Sequence, residues 1–414
     1  MNQIYYNRST CRLCESNKLT ETLKLEPTPV GDKYLPAQRS KENRQLVPLG
    51  LYLCEVCGHI QTGSVVYPDN IYVHYLSRPA AVNPVLSEAY RSYGEDIISR
   101  YKPNPENLIV EIGSNDGSLL RNFNKKRAVG VEPCKNLAII TSKKGYKTYS
   151  EYWDLKLAKK IKSKYKKVDL TYSANTLSHI YNLDKVFRSI THVLSDEGIL
   201  IIEEPSLLEC LKRIAYDQFY NEHIYVFSLL AIKNLIKKYN LEVFNIEQLS
   251  THGGSIRYFI KRISNTQIKI NNSVKRQLNK ELTFKMDKFN TYINFKKKVE
   301  LSKKKLVNLF NNIKKNNKKI IGYGSTAKSV TVLNYCKITK EIIDFFVDTT
   351  PDKTKKYMPG THIFIDKYNK NLLHKADYVF LGAWNFKEEI FKKEKNFIKE
   401  GGRFITHVPV PKII

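Results

Sequence analysis

The sequence predicts an α/β protein in three parts: a small cysteine module, a nucleotide-binding core and a second nucleotide-binding domain at the end of the chain. Three observations predict it. From residue 108 onward, apolar runs of strand length alternate with helical periodicity. Two of those runs, at residues 108–112 and 319–321, lead directly into glycine turns. Two C-x-x-C pairs stand before residue 60.

The first glycine turn organises the rest. Leu108, Ile109, Val110 and Ile112 read as a buried parallel strand. Gly113 and Gly117 then allow a tight turn close to a ligand, and Ser118-Leu119-Leu120 is expected to open a helix facing that ligand. A second strand over residues 128–131 ends in Glu132, followed by Pro133. An acidic residue there, about twenty residues past the turn, is placed to hold a ribose diol. The turn reads G-x-N-D-G through Asn115 and Asp116, with no Lys or Arg for a pyrophosphate. That suits a nucleoside better than a dinucleotide, and predicts S-adenosylmethionine (SAM) in a Rossmann-like methyltransferase core. Glu111, Gly113, Asn115, Asp116, Gly117, Ser118, Leu119, Glu132 and Pro133 are its candidate ligands.

Composition bounds the alternatives. A chain of 414 residues suffices for two or three domains with sizeable cores. No apolar run reaches membrane-spanning length and no signal-peptide pattern opens the chain. No membrane insertion and a cytoplasmic location are expected. The formal charge of +29 first suggests nucleic acid. The lysines are instead scattered through helical stretches among Asn, Ile and Tyr, which reads as solvated helix faces and argues against nucleic acid. A basic surface also suits an anionic substrate such as a sugar nucleotide. A monomer or small homo-oligomer is expected.

Taken in order, Cys11-Arg12-Leu13-Cys14 and Cys54-Glu55-Val56-Cys57 supply four thiolates suited to tetrahedral, structural Zn2+ within residues 1–70. His59 is then a bystander. Cys134, Cys210 and Cys336 are isolated. Residues 70–78 carry polar and aromatic side chains that read either as a cover for the site or as a connector. Helical periodicity runs over residues 87–101, and Pro103 and Pro105 break the chain. The methyltransferase part is bounded at 71–265.

Past Glu132, residues 167–173 read as a strand leading through Ser173 and Asn175 to His179, where α/β ligand sites lie. His179 reads equally as a capping histidine. A helix over 183–194 and a strand over 199–203 follow. Next come Glu203-Glu204-Pro205-Ser206 and Tyr220-Asn221-Glu222-His223. This segment gathers an imidazole able to take a proton near neutrality, a carboxylate to orient it and a phenol able to hydrogen-bond a carbonyl. A helix (231–239) and strand (242–246) precede His252-Gly253-Gly254-Ser255-Ile256-Arg257, which reads as backbone approach to polar substrate atoms or as a hairpin turn.

Residues 266–318 read as amphipathic connecting helices, with Leu278, Leu282, Phe289, Ile293, Leu306, Leu309, Phe310 and Ile313 as the apolar face. The last domain, 319–414, opens on Gly322-Tyr323-Gly324-Ser325-Thr326-Ala327-Lys328, with G-x-G-x-x-A spacing. Ser325 and Thr326 at a helix start suit phosphate. A second strand ends in Asp348, and a lysine loop holds Lys355 and His362. Packing alone is the other reading of this repeat.

The knuckles, the Glu111–Gly117 stretch, the Tyr220–His223 cluster, the His252–Arg257 stretch and the C-terminal third occur in one order. Together they resemble the bacterial C-methyltransferases acting on nucleotide-linked 4-keto deoxysugars, over nearly the whole chain. The resemblance implies SAM, a structural zinc and a C-terminal Rossmann-like domain that helps bind the sugar diphosphate. It implies His223 as the base that removes the proton beside the ketone, with His179, Tyr220, Glu222 and Tyr75 in the same site; Tyr72 competes with Tyr75. The family's second cluster residue is His, where this chain has Asn221. It also implies deoxysugar or surface polysaccharide biosynthesis. An O- or N-methyltransferase on the same kind of ligand and a zinc-ribbon RNA methyltransferase are the alternatives.

Overall fold

The computed structural model describes residues 3–39, 45–71, 84–101 and 108–414. The N-terminal part contributes β1 (Tyr5–Asn7), β2 (Leu19–Thr28), β3 (Leu35–Pro36), β4 (Val47–Cys54), β5 (Ile60–Thr62) and β6 (Ser64–Val66). Strands β2, β4 and β5 form an antiparallel sheet, and β1 pairs with β6. Leu23, Leu25, Leu49, Leu51 and Leu53 alternate inward, as a half-buried sheet requires.

The middle part is a seven-stranded sheet of β7 (Leu108–Ile112), β8 (Ala128–Val131), β9 (Lys147–Tyr149), β10 (Val168–Ala174), β11 (Leu194–Pro205), β12 (Leu241–Leu249) and β13 (Ser255–Arg262). Its order is β12-β13-β11-β10-β7-β8-β9. The first five strands run parallel, and β13 inserts antiparallel between β11 and β12. Every residue of β7 is buried, because helices cover both faces. Leu157, Ile161, Val186, Phe187 and Ile190 pack on one face; Tyr93 and Ile97 of the helix Pro84–Tyr101 pack on the other. The chain leaves β7 first towards β8 and β9, then crosses to β10. That reversal opens a crevice at the strands' carboxyl ends.

One expectation fails here. The segment after the first glycine turn forms only the 3-10 turn Leu120–Asn122. Leu119, Leu120 and Phe123 are buried in the core, and the Asn122 and Phe123 N–H groups bond three residues back, to the Leu119 and Leu120 carbonyls.

The connecting helices are Asn272–Thr283 and Phe289–Lys315. The second buries Tyr292, Phe295, Val299, Ser302, Leu306, Phe310 and Ile313. Leu306, Phe310 and Ile313 are buried as expected and Leu278, Ile293 and Leu309 are half-buried, whereas Leu282 and Phe289 face solvent.

The last part holds β14 (Ile320–Tyr323), β15 (Phe345–Asp348), β16 (Lys356–Tyr357), β17 (Phe364–Lys367), β18 (Tyr378–Leu381), β19 (Arg403–Thr406) and β20 (Lys412–Ile413). Their sheet runs β20-β19-β18-β14-β15-β17-β16-β3. Its final strand is therefore the N-terminal β3, with Leu35 opposite Tyr357. Through β3 the described N-terminal part is thus paired into the last sheet.

Candidate active site

A cavity of about 490 Å³ opens at the carboxyl ends of β7, β8 and β10. Glu111, Gly113, Asn115, Ser118, Leu119, Glu132, Pro133 and Asn175 line it, with Tyr152, Trp153, His179 and His252. Glu132 Oε2 accepts the Asn115 N–H at 2.9 Å and Oε1 accepts the Cys134 N–H at 2.9 Å. Those bonds fix the carboxylate and leave lone pairs for hydroxyl donors on the cavity side. The Glu111 Oε2 and Asn175 Oδ1 atoms are buried without a protein partner. Burial, with Asp116 and Glu132 nearby, holds the Glu111 carboxyl well above the usual range. A cavity with a fixed carboxylate and orphaned acceptors fits a nucleoside bearing hydroxyl and ammonium donors.

Three sequence candidates lie off this wall. The Asp116 carboxylate accepts the Ser118 hydroxyl at 2.6 Å, and its backbone oxygen accepts Lys144 Nζ at 2.7 Å. A Cβ on Gly117 would sit 2.8 Å from Thr141 Cγ2, so this glycine makes room for a helix rather than a ligand. Ser173 Oγ donates to the Ile112 carbonyl at 3.2 Å and ties β10 to β7.

Beside the cavity is a stack of rings. The His179 and His223 ring centres are 4.5 Å apart, edge to face. Tyr220 stacks on His223 at 4.2 Å. His223 is 6 % exposed and its Nδ1 has no partner. Burial, then His179, Lys328 and His252, push its pKa well below the usual imidazole range, so it rests neutral. Loss of solvation also lowers His179 to about 4 and His252 to about 3. The His179 turn is held by a residue not singled out from the sequence. Glu204 Oε1 accepts the N–H groups of Thr176, Leu177 and Ser178 at 3.0, 2.7 and 3.3 Å.

The Tyr220–His223 cluster is docked on the N-terminal part. Glu222 does not orient His223: its Oε1 accepts the Asp32 N–H at 3.1 Å, and burial followed by the Asp32 charge raises its pKa. Asn221 Nδ2 donates to the Thr28 carbonyl and hydroxyl, each at 3.2 Å. Thr62 N–H donates to the Ile224 carbonyl at 2.8 Å, and Gln61 bridges Tyr225. Tyr75 and Tyr72 lie outside the described residues.

The remaining substrate candidates divide. His252, at a φ of 53°, lines the cavity. Gly253 and Gly254 leave space for Trp384 and Glu209, where a Cβ would come within 2.3 and 2.8 Å. Ser255 Oγ donates to the Thr251 carbonyl at 3.0 Å. Arg257 pairs with Glu203 at 2.9 Å and Glu247 at 3.1 Å and lies 3.3 Å over the Tyr93 ring. At the second glycine turn, Ser325 donates through N and Oγ to the Asp348 carboxylate at 2.7 and 2.8 Å. Thr326 caps the helix Ala327–Cys336, Gly324 abuts Ala383, and Tyr323 donates to Glu394 at 3.0 Å. Lys355 is exposed and His362 half-buried, each with positive φ. The turn is therefore largely satisfied by its own protein groups. Lys328 differs: it is buried beside Trp384 and its charge reaches His223 and His252.

The cysteines converge. Sγ atoms of Cys11, Cys14, Cys54 and Cys57 all lie within 4.8 Å of one another, with Cys11–Cys57 at 3.6 Å and Cys14–Cys54 at 3.5 Å. A tetrahedral Zn–S4 site with bonds of about 2.3 Å has edges of about 3.8 Å, so the donor set fits Zn2+ and leaves no open position.

Comparison with known proteins matches these parts. Residues 11–72 match the zinc-binding-domain family, 86–246 the methyltransferase-domain family and 250–409 the C-methyltransferase C-terminal domain family. The chain is also 28 % identical over 406 residues to C-methyltransferase NovU of Streptomyces niveus, covering 98 % of this chain and 96 % of that protein. Together the three models place a zinc-binding domain, a methyltransferase domain and a C-methyltransferase C-terminal domain in one chain. Among solved structures it is similar to a SAM-dependent methyltransferase of Clostridium acetobutylicum (16 % identity, 42 % of this chain and 92 % of that one, TM-score 0.33). It is likewise similar to the magnesium protoporphyrin IX methyltransferase of Synechocystis (13 %, 44 % and 85 %, TM-score 0.31).

The chain is thus a SAM-dependent methyltransferase and carries a zinc-binding domain. Among the described residues no helix is long and apolar enough to cross a membrane. The site also holds groups that sequence reasoning missed. Glu204 stood in a segment marked as chemically rich, but only the fold aims it at the His179 turn. Asp32 carried no local signal.

Proposed function

We propose that this C-methyltransferase methylates a carbon beside the ketone of a nucleotide-activated 4-keto deoxysugar. The observation that carries the reading is the His179–His223 pair, with Tyr220 stacked on His223, beside the nucleoside cavity. A resting neutral imidazole is the form that accepts a proton. His223 takes the proton from the carbon next to the ketone, and the electron pair passes to the keto oxygen as an enolate. The Tyr220 phenol donates to that oxygen. His179 and Glu222 keep the cluster in place, through the ring contact and the Asp32 bond. Bound SAM supplies the electrophilic methyl group. The Zn–S4 site, being closed, is structural.

The test uses methyl-labelled SAM and a panel of nucleotide-linked 4-keto-6-deoxysugars in heavy water. Label on a ring carbon, with deuterium entering beside the ketone when SAM is omitted, is the expected result. Label on oxygen or nitrogen, or no product from any member, overturns the reading.

A further inference from the structure

We propose that Lys328, from the C-terminal domain, is a catalytic residue whose ammonium stabilises the negative charge formed on the keto oxygen. The proposal rests on the carbon-methylation reading above. Lys328 follows the second glycine turn, where a lysine is usually read as a phosphate ligand. Its position says otherwise. It is 8 % exposed, with Nζ 5.7 Å from the centre of the Trp384 ring. Among the described residues its ammonium makes no hydrogen bond.

Trp384 joins the two domains at this point. Its Nε1 donates to Asp217 Oδ2 at 2.6 Å. Its ring occupies the space a side chain on Gly253 would need. Gly253 follows His252, whose carbonyl accepts Gln218 Nε2 at 2.6 Å. Trp384, Asp217 and Gln218 therefore bring the lysine of one domain to the histidines of the other. Buried polar atoms without a protein partner gather there: His223 Nδ1, Gln218 Oε1 and Asp217 Oδ1. Asp217 also faces His407 Nε2 at 3.2 Å and offsets part of the cost of burying Lys328.

A buried cation is costly and weakens a neighbouring base. It becomes useful when a negative charge forms beside it. As the C–H bond breaks, the proton goes to the His223 imidazole and the electron pair to the keto oxygen. Two neutral groups become an ion pair in a site largely closed to water. A fixed ammonium favours that charge without solvent reorganisation. Asp217 acts through Lys328 as a positioning residue.

The test compares wild-type holoenzyme with Lys328→Met, Lys328→Arg and Lys328→Ala, measuring deuterium exchange without SAM, kcat, KM and SAM affinity. Lys328→Met should slow exchange and kcat together by about 100-fold or more, with KM and SAM affinity within about 3-fold. Lys328→Arg should retain more activity, and ethylammonium should partly restore Lys328→Ala, which a merely structural lysine would not allow. Asp217→Asn should give a smaller loss and displace the pH profile. A raised KM with kcat and exchange unchanged overturns the proposal and makes Lys328 a diphosphate ligand. Normal exchange with lost methylation, or no rescue, also overturns it. A wild-type enzyme that exchanges no deuterium sinks the carbon-methylation reading itself, a distinct outcome.

Discussion

The His223 imidazole meets His179 edge to face at 4.5 Å and carries Tyr220 on its own face at 4.2 Å. A ring held from two sides has its nitrogens aimed before any substrate arrives. His223→Asn should therefore lower kcat by about 100- to 10,000-fold while SAM affinity stays within about 2-fold by calorimetry. Because His223 rests well below the ordinary imidazole pKa, the acid limb of kcat/KM should fall below pH 6.5. A limb at or above that value would mean a solvated base.

The two glycines of the first turn should separate on substitution. Each has a φ of 75°. A Cβ on Gly113 would lie 2.2 Å from Thr176 Oγ1, on the cavity wall, whereas one on Gly117 meets Thr141 away from it. Gly113→Ala should weaken SAM binding by more than about 10-fold; Gly117→Ala should cost about 1–3 kcal/mol of stability with a smaller effect on SAM. Calorimetry and thermal unfolding of both variants decide it. Equal loss of SAM binding would refute the distinction.

Glu204 gives stability a pH dependence. It is fully buried and its pKa is raised from 4.5 to about 7, chiefly by desolvation against the pull of three N–H groups. Between those values the folded state keeps a proton that the unfolded state has lost. Its contribution is therefore unpenalised below pH 4.5, and stability falls as pH rises to 7, by at most about 3 kcal/mol. Glu204→Gln should flatten that slope in urea titrations at several pH values. An unchanged slope would mean the carboxylate is solvated.

Metal removal should reach beyond the cysteines. Gln61 and Thr62 lie just past the second knuckle and pair with Tyr225 and Ile224, next to His223. Cys54→Ser, or stripping with a chelator, should lower Tm by several degrees and kcat along with it. Restored zinc should recover both. Activity that survives metal removal would separate the knuckles from the catalytic turn.

Much of the layout was legible. Alternating apolar runs and glycine turns carry strong local signals, so β7, β8, β10, β14 and the knuckles could be placed from residues alone. Glu132 was legible because a strand tip fixes its position relative to the turn. The roles that depended on side-chain direction were not. Glu222 adjoins His223 in sequence but turns to Asp32, and Asp116 turns back on Ser118. Long-range pairings such as Gln61 with Tyr225 leave no periodic trace. On the long helix Leu306, Phe310 and Ile313 were legible as the buried face, while Phe289 at its start was not, because Tyr292 and Phe295 take the buried positions of the first turns.

The edge strand β3 has a consequence for how the chain is made. Pro36 pairs with Lys356 and Leu35 with Tyr357. The ribosome delivers the first strand long before its partner exists, so this edge of the C-terminal sheet closes only near the end of synthesis. Until then β3 has no partner, and a β16 made without β3 has an open side, an opening that invites pairing with another chain. Expressing the C-terminal part alone would keep that opening permanently. Fragments for study should therefore retain residues 35–36, or carry a charged or proline-bearing edge in their place.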